Sequence, residues 1–285
     1  MNIIAKEQYG VLGDPISHSQ SPAIHNLFAS QLHQTINYKA FHVIQDELKK
    51  FIAEYKKRGG KGLNVTLPHK TAVMEYIDEI SPRAAKAGAV NTLIFDENKI
   101  IGDNTDGIGL INDLENNFHH NIKNKNILII GAGGASRGII SPLMEKEPSS
   151  LTITNRTASK ANRLVSRFQQ YLNIDACGID ALKPDQPYDI IINATSAGVT
   201  STSIDFPCFI IAKNTICYDL SYESSPTQFM LWAMKNGAEC AIQGWGMLIE
   251  QAAESYLIWK KIRPDTSAIL KQLNINASSQ VLRRL

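Results

Sequence analysis

The chain has 285 residues, 29 basic against 27 acidic, with a formal net charge of +2. That balance is too slight to suggest a nucleic-acid partner, and no basic run of five or more residues occurs. With 44% hydrophobic and 20% charged residues it has the make-up of a soluble globular protein of up to two domains, and no apolar run approaches the ~18 residues of a membrane span. The first seven residues lack a long apolar core, so no secretory signal is expected and the chain reads as cytoplasmic. Cys177, Cys208, Cys217 and Cys240 show no CxxC spacing and read as reduced, mostly buried thiols.

Residues 9–12 read as a short strand. Ser21 and Pro22 then open a helix to about residue 32, with Ser21 expected at the N-cap. A strand at 37–42 leads to an amphipathic helix at 46–58, ended by Gly59-Gly60. Residues 62–66 form a strand that stops at Leu67-Pro68. Helical turns are expected at 69–76 and 81–87, and a hairpin at 92–96 and 99–102. Asp106-Gly107 begins a helix to about residue 118. Strands alternating with helices imply a mostly parallel sheet with crossovers.

The pattern then changes. Asn126-Ile127-Leu128-Ile129-Ile130 reads as a buried parallel strand that runs into Gly131-Ala132-Gly133-Gly134-Ala135 and a helix at 135–144. Glycines there let the backbone bend tightly and approach a ligand, and a helix N-terminus offers free N–H groups to a pyrophosphate. The spacing Gly-x-Gly-Gly-x-x-x-Gly differs from the plain dinucleotide fingerprint at the third glycine, and a tight turn without a ligand is the alternative. The next strand, 151–157, ends in Asn155-Arg156-Thr157 with Lys160 behind it and no acid at its tip. An acid there would hold the ribose hydroxyl of NAD, whereas arginine suits the 2′-phosphate of NADP, so NADP is the expected cofactor. Further strands are expected at 190–193, 215–220 and 240–242, and late helices at 247–259 and 266–273. Periodicity leaves open whether those helices return to the first domain.

Polar side chains gather at strand ends in the first half. Ser19 and Ser21 flank a helix start, where hydroxyls suit a small carboxylate; simple capping is the alternative. Asn64 and Thr66 share one face of a strand, and Lys70 lies just past its end. Asn91 and Asp106 stand at the ends of neighbouring strands, where ligands of open α/β sheets bind, although Asp106 could equally cap its helix. A polyhydroxylated acid fits such a lining. The seven histidines show no metal-ligand pattern and read as solvated or core-edge, and no metal is expected.

Nine motifs in order resemble those of the shikimate dehydrogenase family across nearly the whole chain. They are 13–22 (GDPISHSQSP), 64–70 (NVTLPHK), 88–92 (GAVNT), 104–107 (NTDG), the glycine-rich turn, 155–157 (NRT), 193–196 (NATS), 218–222 (YDLSY) and 246–252 (GMLIEQA). The resemblance implies an α/β fold of two domains with a cleft between them. Residues 1–106 plus 247–285 would form the substrate domain, with a mostly parallel sheet, and 107–246 a Rossmann-type NADP domain. It implies reversible NADPH-dependent reduction of 3-dehydroshikimate to shikimate in aromatic amino-acid biosynthesis. Lys70 would be the acid/base, paired with Asp106. Ser19, Ser21, Asn64, Thr66, Asn91, Asp106, Tyr222 and Gln251 would contact substrate. Gly131, Ala132, Gly133, Gly134 and Ala135 would hold the pyrophosphate, and Asn155, Arg156, Thr157 and Lys160 the 2′-phosphate. Thr195, Leu220 and Gly244 would line the nicotinamide. Two departures from the family pattern stand out: Lys160 where arginine is frequent, and Pro82 where some members carry an acid. The implied partner is a small molecule, with no nucleic acid and no membrane, and the chain working as monomer or homodimer. A shikimate/quinate enzyme, a non-catalytic NADP sensor and an unrelated Rossmann protein are the alternatives.

Overall fold

The computed structural model describes residues 6–168, 170–171, 173–184, 187–195, 206–273 and 280–284. Two compact units emerge, one of residues up to Gly109 joined by Leu248–Leu273, the other of Leu110–Met247 joined by the C-terminal strand. Among the described residues no helix is long and apolar enough to cross a membrane.

In the first unit β1 (Glu7–Gly13), α1 (Ser21–Gln31), β2 (Ile36–His42), α2 (Leu48–Lys57) and β3 (Gly60–Val65) alternate, and all three strands run parallel. They are followed by β4 (Glu79–Ile80), α3 (Pro82–Ala87), β5 (Thr92–Phe95) and β6 (Ile100–Asp103). The hairpin of β5 and β6 enters the sheet antiparallel to β3, giving the order β2-β1-β3-β5-β6-β4. The register sets Asn64, Thr92 and Asp103 side by side. The C-terminal ends of β3 and β6 and the N-terminal end of β5 thus share one sheet edge.

Both faces of this sheet are covered. Tyr9 and Val11 of β1 pack with α1 and with Ile249, Ala252 and Tyr256 of α8 (Trp245–Lys260), while Leu12 turns to Leu63, Val65 and Ile52. Each such buried aliphatic side chain contributes roughly 1.5–3 kcal/mol. The late helical segment Leu248–Leu273, including the short α9 (Ile269–Gln272), therefore belongs with the first sheet because its apolar face has that sheet to bury against.

α4 (Asp106–Asn112) begins in the first unit and runs on into the second, where it passes into a π-helical turn, Asp113–Asn117, in place of the regular helix expected; Phe118 N–H bonds the Asp113 carbonyl, five residues back. Then come β7 (Asn126–Ile130), α5 (Gly134–Met144), β8 (Ser150–Asn155), α6 (Ala158–Val165), β9 (Ile174–Gly178), β10 (Tyr188–Asn193), β11 (Ile211–Asp219), α7 (Gln228–Lys235) and β12 (Cys240–Gln243). The sheet order is β13-β12-β11-β10-β7-β8-β9, parallel except for β13 (Val281–Arg283). Ile127 and Ile129 pack on one side and Leu128 and Ile130 on the other, which is why β7 is aliphatic without alternation.

Three expectations are corrected. Residues 280–284 do not join the first unit: β13 pairs with β12, Val281 opposite Ile242. Three residues are too few to carry a strand period. The turn at 69–71 is not helical, and only Ala72–Tyr76 winds, as a 3₁₀ helix, because the Lys70 carbonyl is taken by Val90 N–H at 2.7 Å. Ser21 is the first residue of α1 and not its cap; the cap position is Gln20, and the Ser19 hydroxyl accepts the Ser21 N–H at 3.3 Å.

Candidate active site

The first unit brings the expected polar residues together at the carboxyl edge of its sheet. Lys70 Nζ donates to Asp106 Oδ2 at 2.7 Å, with side chains 16% and 5% exposed. Asn91 Nδ2 donates to Asp106 Oδ1 at 2.8 Å, so both carboxylate oxygens are engaged. Asp106 also heads α4, where the helix dipole favours its negative charge, and its N–H bonds Asn104 Oδ1 at 3.1 Å. The Asn91 carbonyl oxygen Oδ1 accepts the Thr105 N–H at 2.9 Å, which holds the loop carrying Asp106 against β5. Gln251 Oε1 faces the same Asn91 amide at 3.3 Å. Asn64 Oδ1 accepts the Tyr38 hydroxyl at 2.7 Å, and its amide reaches Ser255 Oγ at 3.0 Å. Thr66 lies beyond the end of β3, its methyl against Gly13. Ser21 is buried and its hydroxyl lies beside the Tyr38 phenol, while Ser19 is half-buried.

Ser255 was not anticipated. Its hydroxyl touches Asn64, Thr92 and Thr105, at 3.0, 2.8 and 3.2 Å. The signal was its place four residues after Gln251 on one helix, which puts both on the same face. Arg83 was also missed. It grips Asp103 with two nitrogens, at 2.7 and 2.9 Å, and Glu254 at 3.1 Å, so α3, α8 and the end of β6 are tied just before the Asp106 loop.

The reading of the histidines as solvated or core-edge is corrected at two positions. His69 is fully buried, with Nε2 2.6 Å from the Val43 carbonyl, and it anchors the turn that carries Lys70. His25 is also fully buried, and neither ring nitrogen has a hydrogen-bond partner. It stacks on Tyr38 at 4.1 Å and serves as one more flat ring in an aromatic cluster with Phe28, Tyr256 and Trp259.

The second unit presents the nucleotide features. Gly131 turns at φ +113°, and a Cβ there would stand 2.9 Å from the Ala194 carbonyl, so only glycine fits. Its carbonyl accepts the buried Ser136 hydroxyl at 2.8 Å. Gly133 caps α5, and nothing lies within 4 Å of where its Cβ would be; the N–H groups at the head of α5, from Gly134 and Ala135, adjoin that open space. Ala132 is half-buried between them. This cradle fits a pyrophosphate. Past β8, Asn155 Nδ2 bonds the Thr157 carbonyl at 3.0 Å, and Arg156, Thr157 and Lys160 are exposed. Among the described residues no carboxylate pairs with Arg156 or Lys160, so both cations are available to a phosphate. Thr195, Leu220 and Gly244 stand at the carboxyl ends of β10, β11 and β12. Tyr222 belongs to this unit too, with its ring 4.7 Å from that of Trp245. Ser196, part of one motif, lies outside the described residues.

Comparison with known proteins follows the same division. A family model described as the shikimate dehydrogenase substrate binding domain matches residues 11–93, and one described as shikimate / quinate 5-dehydrogenase matches 113–203. The NADP(+) shikimate dehydrogenase of Alkalilimnicola ehrlichii is 41% identical over 94% of this chain and 98% of its own. A shikimate dehydrogenase solved with NADP+ superposes with a TM-score of 0.84 at 35% identity, covering 95% of this chain and 96% of its own. The Thermus thermophilus shikimate 5-dehydrogenase, solved with NADP(H) and shikimate, gives 0.83 at 29% identity, over 94% and 98%. With relatives this close over nearly its whole length, and with a glycine cradle and a polar strand-end cluster in its two units, the chain belongs to the shikimate dehydrogenase family.

Proposed function

We propose that the protein catalyses the reversible NADP-dependent interconversion of 3-dehydroshikimate and shikimate, a step of aromatic amino-acid biosynthesis. The observation that carries this reading is the Lys70–Asp106 pair at 2.7 Å, set among amide and hydroxyl groups at one sheet edge. NADPH, held by the glycine turn and by Arg156 and Lys160, would supply a hydride to the carbonyl carbon of the substrate. Negative charge grows on the carbonyl oxygen as it does so. Lys70 Nζ stabilises that charge and delivers the proton, and is itself reprotonated from solvent. Asp106 holds Lys70 in place and Asn91 holds Asp106. Ser19 and Ser21 take the substrate carboxylate, and Asn64, Thr66, Asn91 and Gln251, all of the first unit, orient its ring. Relatives named for NADP and solved with it support the cofactor. Four free cysteines, two of them buried, accord with a reducing, cytoplasmic setting.

The test is absorbance at the NADPH band with shikimate as substrate. NADP+ is expected to be reduced, NAD+ far less efficiently, and quinate more slowly than shikimate. No shikimate-dependent signal with either nucleotide would refute the activity; equal rates with quinate would make the enzyme a dual-substrate one. Arg156→Ala is expected to raise KM for NADP+ about 10- to 100-fold, the worth of roughly 1.5–3 kcal/mol of charged hydrogen bonds, and to leave KM for NAD+ within a few-fold. Parallel losses with both nucleotides would show that Arg156 does not read the 2′-phosphate.

A further inference from the structure

One buried carboxylate in the second unit is absent from this mechanism. Asp219, the last residue of β11, is 1% exposed. Its Oδ1 accepts from Asn193 Nδ2 at 3.0 Å and from the Ser221 N–H at 3.0 Å, and its Oδ2 from the Thr227 hydroxyl at 2.7 Å. Two of these partners, Asn193 and Ser221, lead to positions at the carboxyl edge of the sheet. Asn193 Oδ1 accepts the Thr195 hydroxyl at 2.7 Å and the Thr195 N–H at 3.2 Å, and the Asn193 carbonyl accepts the Leu220 N–H at 2.9 Å. The Ser221 carbonyl accepts the Gly244 N–H at 2.9 Å. Gly244 in turn crowds Leu220, since a Cβ on it would lie 2.6 Å from the Leu220 carbonyl oxygen. Thr227 caps α7 by accepting the Met230 N–H. The ends of β10, β11 and β12 are therefore linked to one carboxylate, through its own hydrogen bonds and the main-chain bonds of the residues it holds.

Resting on the cofactor reading above, we infer that Asp219 is a positioning residue for the nicotinamide end of NADP, fixing Thr195, Leu220 and Gly244 through Asn193 and Ser221. A buried network of this kind is stiff when complete and loosens as a unit when one member changes. Misplacing a reacting ring by about 1 Å can cost up to ~10²-fold in rate, while the adenine and phosphate ends, bound elsewhere in this unit, keep most of the affinity.

The network also titrates. Burial pushes the Asp219 carboxyl up to about 6, with the hydrogen bonds from Thr227, Ser221 and Asn193 opposing that rise. Among the described residues, the groups that meet it from the surrounding elements are uncharged: Asn193 on β10, Thr227 at the head of α7, Ser221 on the loop, and Gln243 in register on β12. Tyr218, its chain neighbour, is the one titratable side chain among them, and burial raises it well above its usual range, so it stays neutral. Protonation below about pH 6 removes one acceptor from the three donors and makes the site resemble its asparagine variant.

Asp219→Asn, and as a second variant Asn193→Ala, test this with NADPH itself. Reduced nicotinamide fluoresces more strongly when its ring is held rigidly. Titration of the wild type with NADPH at pH 7.5 is expected to enhance that emission. Both variants are expected to bind NADPH within about threefold of the wild-type Kd but to lose most of the enhancement. Wild-type enhancement is expected to fall with a midpoint near pH 6, and that limb is expected to be missing in Asp219→Asn. In turnover the variants should lose about tenfold in kcat with KM for shikimate little changed. Unaltered enhancement and kcat in folded variants would overturn the inference, as would a loss confined to thermal stability. Because the fluorescence needs no shikimate, a failed activity reading leaves this result standing on its own.

Discussion

Lys70→Ala is expected to lower kcat for NADP-linked shikimate oxidation by about 10²-fold or more, the usual scale for a lost acid/base group, with a smaller change in KM. The expectation follows from position. The Lys70 side chain is 16% exposed and its Nζ lies 2.7 Å from Asp106, so the amine is both fixed in place and within reach of a ligand. Asp106→Asn keeps the shape but removes the charge that holds Lys70; it should also lose kcat, though less than Lys70→Ala. Steady-state rates with shikimate varied at saturating NADP+ separate the two constants. An unchanged kcat in Lys70→Ala would remove the lysine from the chemistry.

The second large effect is on stability and comes from His25. Burial pushes its pKa down to about 3, with the nearby Asn64 side chain opposing the shift. The imidazole of the unfolded chain titrates near ~6.5. A depressed folded-state value stabilises the fold above the unfolded value, and that contribution drains away as pH falls from about 6.5 towards 3. The slope approaches ~1.4 kcal/mol per pH unit, so about 2–3 kcal/mol is lost between pH 6.5 and 4.5. Asp219 works in the opposite sense, since a raised carboxyl favours the fold at low pH. Comparison with His25→Phe isolates the histidine. Urea unfolding at pH 7 and 4.5 should show the wild type losing more stability than the variant by about that amount. Equal losses would mean that His25 is protonated or solvated in the folded chain.

The nucleotide half was the more readable in sequence, for reasons that particular residues make plain. The four aliphatics Ile127–130 need cover on both sides, and Gly131 must take a conformation closed to other residues, so strand, turn and helix follow locally. β9 and β13 were not legible. Edge strands have a neighbour on one side only, and neither Ile174-Asp175-Ala176-Cys177-Gly178 nor Val281-Leu282-Arg283 repeats long enough to show a period. The strand-end polar residues could be named from sequence, but not their partners. Nothing local says that Asn91 spends its amide on Asp106, or that Ser255, 164 residues later, closes the same cluster; both depend on register between distant strands and a returning helix. His25 was misjudged because a histidine stacked among rings looks in sequence like any other polar residue on a helix.

In the proposed reaction the first unit holds the acid by its carboxylate and offers Lys70 and Asp106 to the oxygen that gains or loses hydrogen. A crystal structure with shikimate tests it most directly. The expected result has the carboxylate on the Ser19 and Ser21 hydroxyls and the reacting ring oxygen within ~3 Å of Lys70 Nζ, beside Asp106. A shikimate bound the other way round, with its carboxylate on Lys70, or bound away from this edge, would rule out Lys70 as the group that moves the proton.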